Sequence, residues 1–243
     1  MACSGWVTGG GGRMLQIDHA SLQIGSFRLE ADLAIATGAR VAVIGPSGAG
    51  KSTLLAAIAG FQPLAAGAIR WMGQDLAALA PGARPLTILF QDSNLFPHLS
   101  VAQNVGLGLR PDLRLAPDAW NRVDVVLEQV GLAGMAARKP GALSGGQQSR
   151  VALARALIRA RPLLLLDEPF AALGPALTTE MLALVGEICT ETGATLLMVT
   201  HHPADALVLT PETLVVAEGA VTGPFATDAL LANPPAALGR YLG

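Results

Sequence analysis

The sequence predicts an α/β fold built on a parallel sheet, and three observations carry that prediction. Short apolar runs of strand length alternate with stretches of helical periodicity. Strand signals return late in the chain on either side of one long helical stretch, as a crossover between parallel strands requires. Between the two groups of strand signals the pattern turns mainly helical, so a helical subdomain is expected as an insertion, at about residues 92–161.

The elements follow in order. Residues 1–13, MACSGWVTGGGGR, lack the basic start and long apolar stretch of a secretory signal and read as a flexible leader or as residues added ahead of the natural protein, with Met14 the expected start. A strand is predicted over residues 40–44, a helix over 52–59, a strand near 68–72 and a strand over 85–90. In the helical stretch Pro117 can open a helix on which Trp120, Val123, Leu127 and Val130 share one face, with Gly131 ending it. Those four are expected in the core. A further helix is predicted over 149–158, strands over 163–166 and 195–199, and a helix over about 175–191 between those strands. The tail after Gly219 is short, no internal repeat is present, and 14–243 is expected to be a single domain.

Composition bounds the function. At 243 residues the chain can bury an ample core without disulfides. It is 51% hydrophobic and 14% charged with a mean hydropathy of +0.48, yet no apolar run approaches the roughly 18 residues a membrane span needs. The apolar surplus suggests a docking surface for a partner. A net charge of −2 and a pI of 6.1 give no general attraction for nucleic acid, so any phosphate site must be local. Cys3 and Cys189 are too few for a disulfide framework, which fits a reducing compartment.

Gly45, Pro46, Ser47, Gly48, Ala49, Gly50, Lys51, Ser52 and Thr53 follow the apolar strand and open a helix, the context a phosphate-binding loop requires. Glycines expose backbone N–H groups that converge on phosphate oxygens, and the helix N-terminus adds positive potential. Lys51, one of only two lysines with Lys139, is placed to reach the β and γ phosphates. Ser52 offers a hydroxyl to Mg²⁺, and Thr53 supports the first helical turn. The run Leu163-Leu164-Leu165-Leu166-Asp167-Glu168 ends a buried strand in two carboxylates, at the edge where ligand sites of α/β sheets gather. Asp167 suits Mg²⁺, and Glu168 suits the water that attacks the γ-phosphate.

Leu143, Ser144, Gly145, Gly146 and Gln147 form a second glycine-rich helix start. On the residues alone it is equally an anion site or a helix capped by Ser144.

Together with Gln91 in Leu89-Phe90-Gln91 and His201 in Val199-Thr200-His201, these motifs resemble the full series of the ABC transporter ATP-binding subunits, from about residue 14 to the C-terminus. The resemblance implies a P-loop NTPase fold of the ABC type, with a parallel sheet core, an antiparallel β subdomain and the helical insertion. It implies ATP and Mg²⁺ as cofactors and a head-to-tail homodimer, in which Ser144, Gly145, Gly146 and Gln147 clamp the γ-phosphate bound to the partner's loop. By the same resemblance Gln91 contacts Mg²⁺ and the attacking water, and His201 hydrogen-bonds the γ-phosphate. His19, His98 and His202 carry no assigned role.

Within that family the segment from Leu89 to Leu109 and the run Leu196-Leu197-Met198-Val199-Thr200-His201 resemble the ATP-binding subunits of bacterial thiamine importers. The implied partners are an integral membrane permease and, indirectly, a periplasmic solute-binding protein, with no nucleic acid. The implied location is peripheral, on the cytoplasmic face of the bacterial inner membrane. Leu95, Phe96 and Leu99 are the expected docking residues for a permease helix, with packing inside the helical subdomain as the alternative. Importers of another small solute (polyamine, iron or anion) and a regulatory nucleotide-binding module with weak hydrolysis are the competing readings.

Two departures stand out. Where the family reads Ser-Ala-Leu-Asp after the acidic pair, this chain has Ala171-Ala172-Leu173-Gly174, which leaves the catalytic groups but predicts slow hydrolysis and altered coupling. Where the family stacks an aromatic ring on adenine, spacing places Ile24, with Phe27 close by, so loose base selectivity is expected.

Overall fold

The N-terminal strands β1 (Met14–Ile24) and β2 (Phe27–Ala36) alternate buried and exposed residues, the period of a sheet with one face on a core. They pair antiparallel, with a register shift between Ile17 and Ala20. The molecule is described by a computed structural model over residues 14–91, 94–171, 173–235 and 238–239. The expected leader at residues 1–13, and Asp92, Ser93 and Ala172 within the quoted motifs, lie outside the described residues.

Next come β3 (Arg40–Ile44), α1 (Lys51–Ala59), β4 (Ala66–Trp71), the two-residue β5 (Gln74–Asp75) and β6 (Leu86–Leu89). The helices α2 (Val101–Gly106), α3 (Pro117–Gln129) and α4 (Gly145–Leu157) lead back to β7 (Leu163–Asp167). After α5 (Pro175–Thr192) and β8 (Thr195–Val199) come α6 (Pro203–Leu209), β9 (Glu212–Ala217), β10 (Ala220–Ala226) and α7 (Thr227–Ala232).

Among the described residues the strands form one sheet in the order β5-β4-β1-β2-β10-β9-β3-β8-β7-β6. From β9 to β6 neighbours run parallel, and from β5 to β2 they run antiparallel. The α/β class and its two sheet regimes are therefore as expected. The parallel strands are buried on both faces, which explains their continuous apolar runs. On β7, Leu163 and Leu165 join the core around α1, while Leu164 and Leu166 join the core under α4 and α5. The strand order puts β8 between the loop-bearing β3 and the acidic β7, so three strand ends converge rather than two.

Among the described residues the helical stretch holds three α-helices, α2, α3 and α4, separated by loops. Val123, Leu127 and Val130 are buried as expected, whereas Trp120 packs against that cluster only partly covered. Helix α4 serves two cores, with Ala152, Leu153 and Ala156 toward the sheet and Val151, Ala154 and Ile158 toward α2 and α3. It begins four residues before the predicted 149, because Ser144 caps it and the two glycines are carried into its first turn. The loop between β6 and α2 is pinned by the fully buried Asn104, whose Nδ2 donates to the carbonyls of Phe96, Leu99 and Ser100, and whose Oδ1 accepts from the Phe96 N–H. At the far end of α1, Arg84 donates to the carbonyls of Ala57 and Ile58 at 3.0 and 2.7 Å and satisfies the helix C-terminus. Among the described residues no helix is long and apolar enough to cross a membrane.

Candidate functional site

The turn from β3 into α1 is tightly determined. Gly45 has φ +153, and a Cβ there would sit 2.0 Å from the Val216 carbonyl oxygen of β9. Gly50, at φ +104, is the N-cap of α1, and a Cβ there would lie 2.6 Å from the ring of Phe27. Any larger side chain would push the loop off the sheet at both positions. No side chain caps α1, so its leading N–H groups are left for a ligand. Lys51 is buried, and its ammonium donates back to the Gly45 and Pro46 carbonyls at 2.8 and 2.9 Å. Burial lowers the Lys51 pKa, an effect opposed by the charges of Glu168 and Asp167.

Asp167, at the end of β7, is buried and accepts a hydrogen bond from the Ser52 hydroxyl at 3.0 Å. Burial raises its carboxyl pKa first, the Ser52 hydrogen bond pulls it back, and the neighbouring Glu168 charge raises it again. Glu168 stands at φ +48, an unusual conformation for a non-glycine residue, and its N–H donates to the Val199 carbonyl of β8 at 3.1 Å. This places its carboxylate against the His201 imidazole, Nε2 facing Oε1. His201 is held through its neighbour. The buried Thr200 hydroxyl donates to Asp205 at 3.0 Å and accepts the His202 N–H at 3.0 Å, fixing the turn from β8 into α6. The motif reading passed over Thr200 and Asp205; the buried threonine preceding His201 was the only local signal.

These groups share one open cleft of about 360 Å³. Ser47, Gly48, Gly50, Lys51, Ser52 and Thr53 line one wall, Glu168 and His201 face them, and Ile24 and Phe27 form the rim. Ile24 is 46% exposed, whereas Phe27 leans on Gly50 and supports the loop. Gly45, Pro46 and Ala49 shape the turn without lining the cleft, and Asp167 sits behind Ser52. The Ser52 and Asp167 oxygens form a hard donor pair of the kind Mg²⁺ prefers.

Gln91 and the second helix start are not brought to that cleft. Gln91 is exposed and lines a separate cavity of about 730 Å³ together with Glu168, Gly145 and Gln148. Glu168 is thus the residue common to both spaces. At α4, Ser144 Oγ accepts from the Gln147 N–H at 3.3 Å and Gln147 Oε1 accepts from the Ser144 N–H at 3.0 Å, a complete capping box. The capping alternative for Ser144 is therefore realised, and it leaves Ser144 and Gly145 exposed to a second molecule. Gly146 is the packing glycine, since a Cβ would lie 2.2 Å from the Leu177 side chain.

Of the expected docking residues, Leu95 packs partly buried between two core clusters and Leu99 is half-buried, which leaves Phe96 exposed. Nearby, Phe61 and Phe90 are also exposed and pair edge to face with centroids 5.6 Å apart. The pattern reading did not single out Phe61. His19 pairs with Asp32, His98 with the Phe96 ring, and His202 is the N-cap residue ahead of α6.

The chain matches the ABC transporter family over residues 29–171. It is similar to the thiamine import ATP-binding protein ThiQ of Cereibacter sphaeroides, at 60% identity over 95% of this chain and 100% of the relative. The protein of the same name from a Ruegeria species is 56% identical over 95% of this chain and 100% of the relative. That of Escherichia coli strain K12 is 48% identical over 84% of this chain and 88% of the relative.

Proposed function

We infer the function from one premise: the chain belongs to the ABC transporter family of ATP-binding proteins. It binds and hydrolyses ATP, and the work driven by that hydrolysis is the import of thiamine or a phosphorylated form of it through a membrane permease. The observation that carries the reading is the single cleft in which Lys51, Ser52 and the Glu168–His201 pair meet, with Asp167 hydrogen-bonded behind Ser52.

In the proposed mechanism the N–H groups of Ser47 to Thr53 cradle the phosphates, and Lys51 exchanges its loop carbonyls for β and γ oxygens. Ser52 and Asp167 would hold Mg²⁺, which supplies charge neutralisation on the phosphate oxygens when bound, and Gln91, in the adjoining space beyond Glu168, would join them only once the two spaces close together. Glu168 accepts the proton of the attacking water as its oxygen bonds to the γ-phosphorus and ADP departs. His201, oriented by Glu168 and by the Thr200 turn, donates a hydrogen bond to the γ-phosphate. Gln91 can both donate and accept, which suits contact with the attacking water and transmission to the permease. Two copies pair head to tail, so that Ser144, Gly145, Gly146 and Gln147 of one complete the ATP site of the other. One ABC ATPase domain over 14–243, with a helical subdomain at about 92–161, is the unit of this assembly.

The exposed aromatics Phe61, Phe90 and Phe96 support a permease contact, because aromatic side chains anchor protein interfaces. The subunit then lies peripherally on the cytoplasmic face of the inner membrane, coupled indirectly to a periplasmic solute-binding protein. Gly174 favours one second reading, a regulatory nucleotide-binding module with weak hydrolysis, since it stands where the family has the aspartate that helps link the two sites. ATPase activity in proteoliposomes holding this subunit and its permease separates these readings. We expect stimulation by thiamine and loss of activity in Glu168→Gln. A response to a polyamine, iron or an anion instead removes the thiamine assignment, and equal rates for wild type and Glu168→Gln favour the module.

A further inference from the structure

The nucleotide cleft lies where β7 ends, and a separate cavity of about 270 Å³ lies where that strand begins, between the C-terminal turns of α4 and α5. Leu157, Pro162, Leu164 and Ile188 give it apolar walls, with Thr87 buried at its inner end and Arg161 exposed at its mouth. Thr87 pairs in parallel register with Leu164, so the two side chains share one face of the sheet and the hydroxyl is turned toward this space. Its neighbour Leu86 packs in the opposite core, around α1, as the alternation along a strand requires. Thr87 is only 6% exposed, and its hydroxyl has no hydrogen-bond partner. The other such atom among the described residues, Arg159 Nε, belongs to a neighbouring groove that Thr87 also borders. Buried polar groups are otherwise paired almost without exception, so an unspent hydroxyl in a cavity calls for an occupant.

The chemistry of that occupant follows from the walls. The second hydroxyl there is spent, since Thr192 Oγ1 donates to the Ile188 carbonyl at 2.7 Å and accepts the Ala194 N–H at 3.3 Å. A hydroxyl both donates and accepts, so Thr87 suits a hydroxyl or a carbonyl oxygen at the inner end of a ligand. The Arg161 guanidinium can only donate, and no acidic side chain lines the cavity. Burial lowers the Arg159 pKa and the nearby Arg161 charge lowers it further, so positive potential gathers on this side of the mouth. An anion is wanted there. Arg161 precedes Leu164 by three residues, a chain length of at most about 11 Å, so the two polar ends are separated by no more than a compact molecule. The volume, just under the roughly 300 Å³ at which small-molecule sites begin, sets the same limit.

We propose that this cavity binds a compact carboxylate with an apolar body, its charged end on Arg161 and an oxygen at its far end on Thr87. The site goes beyond the transport reading and does not depend on it. Helices α4 and α5 follow Ser144 and Gly174 on the nucleotide side and reach this site with their last turns.

The test compares three probes, para-hydroxybenzoate, benzoate and phenol, which carry both polar ends, the charged end alone and the hydroxyl alone. Binding to the full chain is followed by the NMR shift of the Ile188 methyl groups in the cavity wall. We expect wild type to bind para-hydroxybenzoate at least about tenfold more tightly than either of the others, because a site built for a polar group rejects the analogue that leaves it unpaired. In Thr87→Val the advantage over benzoate should vanish while that over phenol remains, and in Arg161→Met the reverse should hold. Neither residue touches the nucleotide cleft, so basal ATPase should persist in both variants and report that they are folded. If a variant fails to fold, the wild-type ratios decide alone. No saturable Ile188 shift with any probe up to about 10 mM would leave the Thr87 hydroxyl to water and overturn the proposal. Equal affinity for the three probes in wild type, or ratios that both folded variants leave unchanged, would overturn it as well.

Discussion

The two glycine-rich helix starts, at α1 and at α4, look alike in sequence and are built in opposite ways. Helix α1 opens from Gly50 in a left-handed conformation, with no cap and a buried lysine folded onto its own loop. Helix α4 opens from Ser144 with both halves of a capping box in place and its first residues exposed. The first start withholds its N–H groups from the fold and buries charge at a cost in stability. The second satisfies itself and is stable without a ligand. A site whose groups are unsatisfied in the free chain is pre-organised for phosphate, whereas a self-satisfied, exposed start gains a ligand only when another surface brings one.

The largest expected effect breaks the first start. Lys51→Ala should reduce kcat/KM for ATP by at least about 10³-fold, since a clamp on the transferring phosphates is lost. The thermal midpoint of the isolated subunit should not fall, because a partly desolvated ammonium goes with it. Glu168→Gln comes next: hydrolysis should drop about 10²- to 10⁴-fold while ATP binding, measured by calorimetry, persists.

Ser144→Ala breaks the second start through stability instead. Loss of the cap should cost about 1 kcal/mol in chemical denaturation, because α4 joins the sheet core to the helical core. Acid titration offers a further contrast. The Asp167 pKa is raised in the fold above its ordinary 3.8, so its contribution to stability is full below that value and is lost as pH rises through the folded pKa. The melting midpoint of the nucleotide-free subunit should therefore lose this increment on leaving acid, and Asp167→Asn should abolish that part of the profile. Ser144 has no titrating partner in its cap, so Ser144→Ala should leave the profile's shape unchanged.

The smallest effect is at the third helix start. Gly174 is extended, with nothing within 4 Å of an added Cβ, so Gly174→Asp fits and can cap α5. A gain of about 0.5 kcal/mol is expected, with faster or more cooperative hydrolysis. Unchanged rate and cooperativity would show that the missing aspartate is not what limits turnover.

The loop, the acidic pair and the second helix start were legible because each needs only local spacing between residue types. Strands β3, β6, β7 and β8 were legible as apolar runs, since both their faces are buried. Strand order was not, because pairing joins residues far apart in the chain. Only with β8 between β3 and β7 does His201 reach Glu168, and only then does Ser52 meet Asp167, 115 positions away. The half-exposed β1 and β2 intersperse polar residues among their apolar ones, Gln16, Asp18, His19, Ser21 and Gln23 on β1 and Arg28, Glu30 and Asp32 on β2, which weakened their signal against the apolar runs. Phe27 was legible as an aromatic near the nucleotide, but its contact with Gly50 required the sheet to be assembled.

The central claim is that the uncapped start of one copy and the capped start of another enclose a single ATP. Mixing two inactive variants tests it most directly, one with Lys51→Ala and one with Ser144→Arg. In a head-to-tail dimer the mixed pair regains one intact site, so an equimolar mixture should recover up to about a quarter of wild-type ATPase activity, where each variant alone has none. Activity no greater than the sum of the two variants alone would contradict the claim.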